Sequence, residues 1–312
     1  MTAINLFGGD YEHTLELAAT GPGFSIVYNA GPPTQIFEQM LSHRAFEACE
    51  MSLSNYLIVK DRGADWLTAI PVFPNRAFRH NTVYVRADSA IRTPKDLEGA
   101  RFGLEDYTMT AAVWLRGTLH EEYGVEWRRI QWSCAEGHKR FDPPSDASVS
   151  YVNGDLEQLL LDGEVDAIMS FAPRDDANPP AARRLRPLFA SAQDVEREYY
   201  LKTRIYPINH CVVVRSDVLA RLPELPNRLF AAYTAAKKKA YARRLCGTLV
   251  PWGKQHWKAA FDLFDGDPLP YGLTTENRRV IDKLADYAAT QGLISKKPTL
   301  SDLFLRVSET SD

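Results

Sequence analysis

Short apolar runs alternate with helical patterns along most of this 312-residue chain, and that alternation is the strongest constraint on its fold. The runs FSIVYNA (24–30) and DWLTAIPVFP (65–74) have the composition of strands, whereas TQIFEQMLSHR (34–44) has apolar residues at helical spacing. Strands that alternate with helices are typical of α/β proteins with mainly parallel sheets. The sequence therefore predicts an α/β fold.

Two extended segments, Thr82–Arg86 and His210–Arg215, flank a central block that has its own strand and helix alternation. Such a block predicts a second lobe inserted into the first, with the chain crossing between lobes twice. The bounds expected for lobe one, lobe two and the crossovers are 1–88 with 212–312, 96–205, and 89–95 with 206–211. Ligands of open α/β proteins bind at strand carboxyl ends, so we expect a ligand cleft between the lobes.

Composition excludes several classes of protein. Hydrophobic residues make up 45% of the chain and charged residues 25%, which allows a sizeable core and excludes general disorder. The net charge is −3, and the basic residues at 237–239 and 243–244 fit the solvated face of a helix. No apolar run approaches the roughly 20 residues that span a bilayer, and the first residues lack a signal-peptide pattern. We expect a cytoplasmic protein that binds neither nucleic acid nor membrane, with a homodimer left open.

Several motifs follow one another in a characteristic order. They are FRH (78–80), TPKDLEGARFGLEDYTMTAAVWLRGTLHEEYGV (93–125), YPINHCVVVR (206–215), and DPLPYGL (267–273) followed by NR (277–278). Their order and spacing, from about residue 5 to residue 293, resemble the 4,5-dihydroxyphthalate decarboxylase family. The two-lobed arrangement resembles the type 2 periplasmic-binding-protein fold. The resemblance implies a non-oxidative decarboxylase of phthalate degradation, which converts 4,5-dihydroxyphthalate to protocatechuate and CO2 inside the cell.

Decarboxylation of an arene needs a proton at the ring carbon that loses CO2. A histidine suits this step because its unperturbed pKa lies near neutrality. His80 and His210 each adjoin a predicted strand at a lobe crossing. Together with the resemblance, this makes His80 a candidate proton donor or phenol-activating group and His210 a candidate second acid/base. The alternative for each histidine is a structural role at the end of a strand.

An ortho-dicarboxylate substrate would bring two negative charges. Arg79 can pair with one carboxylate through two parallel hydrogen bonds, a geometry that lysine cannot copy. Neighbouring residues of a strand face opposite ways, so Arg79 and His80 can share a cleft only if they lie in an irregular turn. Ser170 and Arg174 follow the predicted strand in EVDAIMSFAPR, and Arg174 is a second candidate clamp. A surface position is the alternative for Arg79.

Two predicted helix starts offer backbone N–H groups to a second carboxylate. One start is MSLSNYL with Ser52 and Ser54, and the other is DYTMTAA with Tyr107, Thr108 and Thr110. Ordinary N-capping, with Thr108 or Thr110 as the cap of the second helix, explains the same residues.

The loop GGDYEH (8–13) follows the first apolar run of the chain. Gly8 and Gly9 allow close approach of the backbone to other groups. Asp10 and Tyr11 could reach the catechol hydroxyls, with Asp10 as the acceptor of a phenolic proton. A plain turn is the alternative.

No cofactor motif accompanies these residues. The sequence contains no H-E-x-x-H, H-x-H or clustered carboxylate pattern, and no flavin or lysine Schiff-base motif. We therefore expect a reaction without a cofactor, although a catechol can chelate a divalent metal. Because fold does not determine function, the main alternative is a cytoplasmic solute-binding or sensor protein for a small aromatic or pyrimidine-like anion.

Overall fold

The computed structural model describes residues 2–21, 24–246 and 250–307. Its strands, in chain order, are β1 (Thr2–Gly8), β2 (Ala18–Gly21), β3 (Phe24–Ala30), β4 (Ala48–Ser52), β5 (Leu67–Ile70), β6 (Val83–Arg86), β7 (Arg101–Leu104), β8 (Gln131–Ala135), β9 (Val149–Val152), β10 (Ala167–Met169), β11 (Leu185–Pro187) and β12 (His210–Arg215). Its α-helices are α1 (Pro33–His43), α2 (Leu53–Asp61), α3 (Thr110–Tyr123), α4 (Leu156–Leu161), α5 (Ala192–Thr203), α6 (Ser216–Arg221), α7 (Leu225–Cys246), α8 (Gly253–Leu263), α9 (Thr275–Thr290) and α10 (Leu300–Leu303). None of the described helices is long and apolar enough to cross a bilayer.

The chain divides into two compact units, each assembled from separate stretches of sequence. Unit one comprises Met1–Arg76, Ile208–Arg279 and Pro298–Asp312, and unit two comprises Ala77–Pro207 and Val280–Lys297. The change of unit at 207/208 falls within the crossover expected at 206–211, whereas the change at 76/77 comes before the one expected at 89–95.

The sheet of unit one has the strand order β2-β3-β1-β4-β12-β5. β1 runs parallel to β3 and β4, whereas β12 runs antiparallel to β4 and β5. Its core joins the apolar sheet face to α7, through residues that include Ile4, Leu6, Val212, Leu229 and Tyr233. The returning strand β12 is thereby placed beside β4, in the middle of the sheet.

The sheet of unit two has the order β11-β6-β10-β7-β8-β9. β7, β8, β9 and β10 form parallel pairs, and β6 runs antiparallel to β10 and β11. Both sheets are therefore mixed, where the sequence predicted mainly parallel ones. β6 also pairs inside unit two, although the sequence placed Thr82–Arg86 in lobe one; strand pairing is a long-range property that a local pattern does not contain.

Residues 280–297 are a second departure from the expected bounds, because they belong to unit two rather than to lobe one. Gln291 illustrates why: its side chain accepts a hydrogen bond from Arg116 Nε at 2.7 Å and donates to the Val113 carbonyl at 2.9 Å. Both partners lie on α3, so the segment 280–297 completes the core of unit two.

The basic residues of α7 form the solvated face that the sequence predicts, with one exception. Lys237 is buried, pairs with Asp267, and lies 4.2 Å from the centroid of the Tyr271 ring. Arg243 and Arg244 are exposed but form ion pairs with Glu16 and Glu12. Acidic partners from the first loop therefore neutralise this patch.

Gly117 provides a test of the packing in unit two. A Cβ at this position of α3 would lie 2.2 Å from a ring carbon of Tyr287. Gly117→Ala should therefore lower the free energy of unfolding by about 1–3 kcal/mol, although alanine is by itself the better helix former. Urea unfolding measures the change.

Tyr287→Ala supplies the matched background for that experiment, because it removes the ring that clashes. In this background Gly117→Ala should be neutral or stabilising. Equal destabilisation in both backgrounds would contradict the close packing of α3 against Tyr287.

Candidate active site

A glutamate lies in the middle of the buried strand β4. Every residue of β4 is buried, and the Glu50 side chain is 0% exposed. A buried carboxylate is costly unless hydrogen bonds replace its lost hydration. The hydrogen-bond partners of Glu50 therefore show how the fold accommodates a buried polar group.

Three donors from separate parts of unit one satisfy the Glu50 carboxylate. The Gly9 amide donates to Oε2 at 2.6 Å, the Tyr11 hydroxyl donates to Oε1 at 2.8 Å, and His210 Nδ1 donates to Oε1 at 2.5 Å. We call Glu50, Gly9, Tyr11 and His210 the Glu50 cluster. A shared carboxylate fixes the relative positions of a phenol and an imidazole.

Strand register explains how His210 reaches Glu50. In the antiparallel pair of β4 and β12, His210 lies opposite Ser52 and Val212 lies opposite Glu50. Residues two apart on a strand share a face, so His210 and Glu50 are diagonal neighbours on one face of the sheet. The parallel pairing of β1 with β4 brings the GGDYEH loop to the same place.

The two glycines of this loop are required by close approach. A Cβ at Gly8 would lie 2.5 Å from the Tyr28 hydroxyl and 3.2 Å from Glu50 Oε2. A Cβ at Gly9 would lie 2.3 Å from the Tyr11 ring. The glycine pair therefore serves contacts inside the protein, in line with the close approach that the sequence predicts.

The hydrogen bond from His210 to Glu50 uses one ring nitrogen, Nδ1, and leaves the other, Nε2, unengaged. Since a carboxylate only accepts hydrogen bonds, the proton on the imidazole is assigned to Nδ1. Among the described residues no protein group hydrogen-bonds Nε2, and the side chain is 17% exposed. The Phe37 ring packs edge-on at 4.9 Å between centroids. The arrangement leaves Nε2 available to exchange a proton with a ligand.

Tyr11 is a hydrogen-bond donor rather than a base. Burial and the neighbouring Glu50 charge raise the pKa of Tyr11 far above its ordinary value. The Asn75 amide donates to the Tyr11 hydroxyl at 3.3 Å, and the His13 ring stacks on Tyr11 at 5.2 Å. Burial lowers the pKa of His13, which keeps that ring neutral. These neighbours fix the orientation of the phenol.

The other predicted site residues of unit one, Asp10, Ser52 and Ser54, differ in how they relate to the Glu50 cluster. Asp10 is exposed, and the structure gives its side chain no hydrogen bond, so Glu50 is the carboxylate that meets Tyr11. Ser52 and Ser54 are buried at the start of α2, with their hydroxyl oxygens 3.4 Å apart. Ser52 lies opposite His210 in the strand register and so adjoins the Glu50 cluster.

In unit two, Arg79 and His80 lie in an irregular turn, the geometry required for both to face a ligand. Arg79 precedes a short 3₁₀ helix, His80–Thr82. The two side chains have different surroundings, however. The Arg79 guanidinium lies 5.5 Å from the Phe171 ring centroid, whereas His80 packs against aromatic rings that include Phe189 at 5.1 Å. Burial lowers the pKa of His80 to about 4.

The predicted anion site at the start of α3 is part of the core. Tyr107 is buried, and the Arg116 guanidinium stacks 3.8 Å from its ring centroid. The Thr108 hydroxyl donates to Asp106 at 2.8 Å, and Thr110 is buried. The N-cap of α3 is Met109 and not either threonine, because Thr108 is engaged by the preceding aspartate.

Ser170 and Arg174 share a cavity at the carboxyl ends of β8 and β10. The cavity has a volume of about 290 Å³, and its lining also includes Glu105, His138 and Phe171. Arg174 already pairs with Asp155 at 2.5 Å and lies 3.9 Å from Glu157. Two carboxylates therefore compete with any ligand for this arginine, which argues against its expected role as a carboxylate clamp.

Glu50 is a candidate functional residue that sequence reasoning missed. The signal that could have found it is the run ACEMS, where one acidic residue lies at the centre of a strand. Metal ligands are a separate question. Among the described residues, no group of three or more His, Cys, Asp or Glu side chains is placed to hold a metal ion.

Comparison with solved structures identifies the fold. The periplasmic aliphatic sulphonate binding protein SsuA from Escherichia coli matches with a TM-score of 0.61 and 15% identity, over 100% of this chain and 94% of that chain. SsuA from Xanthomonas axonopodis pv. citri, bound to MOPS, matches with a TM-score of 0.57 and 14% identity, over 97% and 98%. The periplasmic-binding-protein-like α/β fold predicted from the sequence is thus confirmed.

Comparison with curated proteins identifies the family; a search of protein-family models finds no match. The 4,5-dihydroxyphthalate decarboxylase of Pseudomonas putida is 32% identical over 154 residues, which cover 49% of this chain and 55% of that protein. The 4,5-dihydroxyphthalate decarboxylase of Comamonas testosteroni is 33% identical over 300 residues, which cover 90% of this chain and 89% of that protein. At this identity and coverage, the chain belongs to the 4,5-dihydroxyphthalate decarboxylase family.

Proposed function

We propose that this protein is a carboxy-lyase that removes CO2 from a hydroxylated aromatic dicarboxylate. The substrate we propose is 4,5-dihydroxyphthalate, with protocatechuate as the product, because both curated relatives carry that activity in their names. The observation that carries the proposal is the His210 ring, held at Nδ1 by a buried carboxylate while Nε2 remains unengaged. This geometry suits a general acid.

In the proposed reaction, protonated His210 gives its Nε2 proton to the ring carbon that carries the departing carboxylate. A pair of ring electrons forms the new C–H bond. The electron pair of the C–C bond to the carboxylate then returns to the ring, and CO2 leaves. The neutral imidazole takes a proton from solvent before the next turnover.

A substrate hydroxyl para to the reacting carbon assists this step, since its oxygen donates electrons to the ring. Each carboxylate-bearing carbon of 4,5-dihydroxyphthalate has such a hydroxyl. Glu50 and Tyr11 act on His210 and not on the substrate in this scheme. Glu50 fixes the tautomer of His210, and Tyr11 fixes the carboxylate.

His210 is preferred to His80 as the proton donor. Burial lowers the pKa of His80 to about 4, so near pH 7 that ring is neutral and lacks the imidazolium proton that the scheme requires of its acid. Its surroundings are aromatic, and both ring nitrogens lack a hydrogen-bond partner among the described residues. This packing supports a structural role for His80.

We also propose that the reaction needs neither a metal nor an organic cofactor. The support is the absence of metal-ligand groupings within the part of the chain that the structure describes. Dialysis against EDTA should leave turnover unchanged, and recovery of lost activity by a divalent cation would contradict the proposal.

A cytoplasmic location stays a prediction from the sequence.

The alternative is a protein that binds an aromatic anion without changing it. The observation in its favour is the likeness to solute-binding proteins, which extends over the whole chain. Incubation with 4,5-dihydroxyphthalate separates the two functions. Tight binding without release of CO2 would support the binding protein.

Replacing the proposed acid gives the sharpest kinetic prediction. His210→Asn should lower kcat for protocatechuate formation by about 10²–10⁴-fold, because the proton must then come from solvent. His80→Phe should keep kcat within a few-fold of the original. Product formation followed by chromatography measures both, and the reverse ranking would contradict the assignment.

Glu50→Gln tests the positioning of His210. The amide keeps the size of the side chain but places an N–H group among three donors, so His210 loses its fixed tautomer. We expect kcat to fall by about 10–100-fold with a changed pH profile, while KM changes little. Glu47→Gln, a partly exposed glutamate beside the same strand, is the matched control. Equal effects of the two variants would contradict the role of Glu50.

His80 should make the folded state sensitive to acid. Its pKa is lowered from 6.5 to about 4 in the folded protein, so the unfolded chain binds more protons between these values. The free energy of unfolding should fall as the pH drops through this window, by on the order of 2–3 kcal/mol from this group. His80→Phe should remove that part of the loss. Urea unfolding at pH 7 and pH 4.5 measures the difference, and an unchanged acid loss in the variant would refute the burial of a neutral His80.

A further inference from the structure

Arg79 is a buried cation for which unit two supplies no partner. Its side chain is 4% exposed, and its Nε has no hydrogen-bond partner among the described residues. The other two buried arginines of the described chain are engaged: Arg76 donates to Asn277, and Arg116 donates to Gln291. Arg79 therefore differs from them in donating no side-chain hydrogen bond to a described residue.

Such a group is costly to keep. Burial of an unpaired charge costs several kcal/mol, and here it lowers the pKa of Arg79 to about 10. The guanidinium still carries its charge near pH 7. Glu196 is close enough to attract it, but the Glu196 carboxylate accepts the Asn81 amide at 3.1 Å and forms no ion pair with Arg79. An incoming anion would offset this cost.

The surroundings of Arg79 indicate the kind of anion. The Phe171 ring centroid lies 5.5 Å from the guanidinium carbon, and the adjacent Phe78 ring packs on Tyr206 at 4.8 Å between centroids. A single planar fork of N–H donors among aromatic rings fits a carboxylate on a flat ring. A phosphate, with more charge and more acceptor oxygens, would call for further donors.

We propose that Arg79 anchors the carboxylate that the substrate keeps, and not the carboxylate that leaves as CO2. An ion pair with Arg79 stabilises the negative charge of a carboxylate, whereas the departing group must lose that charge to become neutral CO2. The inference rests on the proposed function for the identity of the ligand, an aromatic dicarboxylate. It makes Arg79 a substrate-binding residue that acts on KM.

Phthalate is the probe for the test, because it has both carboxylates and lacks the hydroxyls that promote turnover. Arg79→Met should weaken phthalate binding by about 30-fold or more, as measured by calorimetry. Binding of dimethyl phthalate, which is neutral, should not change. Arg174→Met, which removes an exposed arginine of the same unit that is already paired, is the matched control and should bind phthalate as before.

The stability of Arg79→Met shows whether that variant folds. Removal of an unpaired buried charge should leave the ligand-free protein at least as stable in urea. Arg79→Lys, which keeps the charge but not the fork, should raise KM for 4,5-dihydroxyphthalate with a smaller effect on kcat. Unchanged phthalate affinity in Arg79→Met, or marked loss of its ligand-free stability, would overturn the inference.

The calorimetry is repeated with His210→Asn, which separates this inference from the proposed function. If phthalate binding depends on Arg79 but the original protein releases no CO2 from 4,5-dihydroxyphthalate, the decarboxylase proposal is wrong and the Arg79 proposal stands. If the protein releases CO2 but Arg79→Met binds phthalate as tightly as the original protein does, the Arg79 proposal is wrong and the decarboxylase proposal stands.

Discussion

The hydrogen bonds to the buried Glu50 carboxylate are the interaction on which the arrangement of the candidate site in unit one depends. They tie the GGDYEH loop after β1, the centre of β4 and the first residue of β12 to one point. Removing any donor leaves part of a buried charge unmatched, which costs more than an ordinary surface hydrogen bond. The cluster therefore stabilises the local fold and, by the same contacts, orients His210.

The fold and the chemistry come from different features of the chain. The matched solved structures include sulphonate binding proteins, so the α/β architecture by itself carries no reaction. The acid-base potential comes from a glutamate at a strand centre and a histidine at a strand start, held in register by antiparallel pairing. Unit two contributes an unpaired guanidinium on its own turn, Arg79.

The sequence predicts the fold class well and supplies several candidate site residues, because strand and helix periodicities are local and the family motifs lie along the chain. His210, Tyr11 and the glycine pair were found as candidates in this way. Glu50 was missed because its meaning depends on β1 and β12, which are far from it in sequence. Tyr107 and Thr108 were expected at an anion site for the converse reason: a helix start shows in the sequence, whereas its burial depends on residues such as Arg116.

The measurement that tests the central claim most directly is turnover of 4,5-dihydroxyphthalate in D2O. The account predicts release of CO2 and protocatechuate that carries one deuterium at the vacated ring carbon, at a rate that falls sharply when His210 is replaced by asparagine. Binding of 4,5-dihydroxyphthalate with no CO2 released, or a rate that is indifferent to His210, would contradict it.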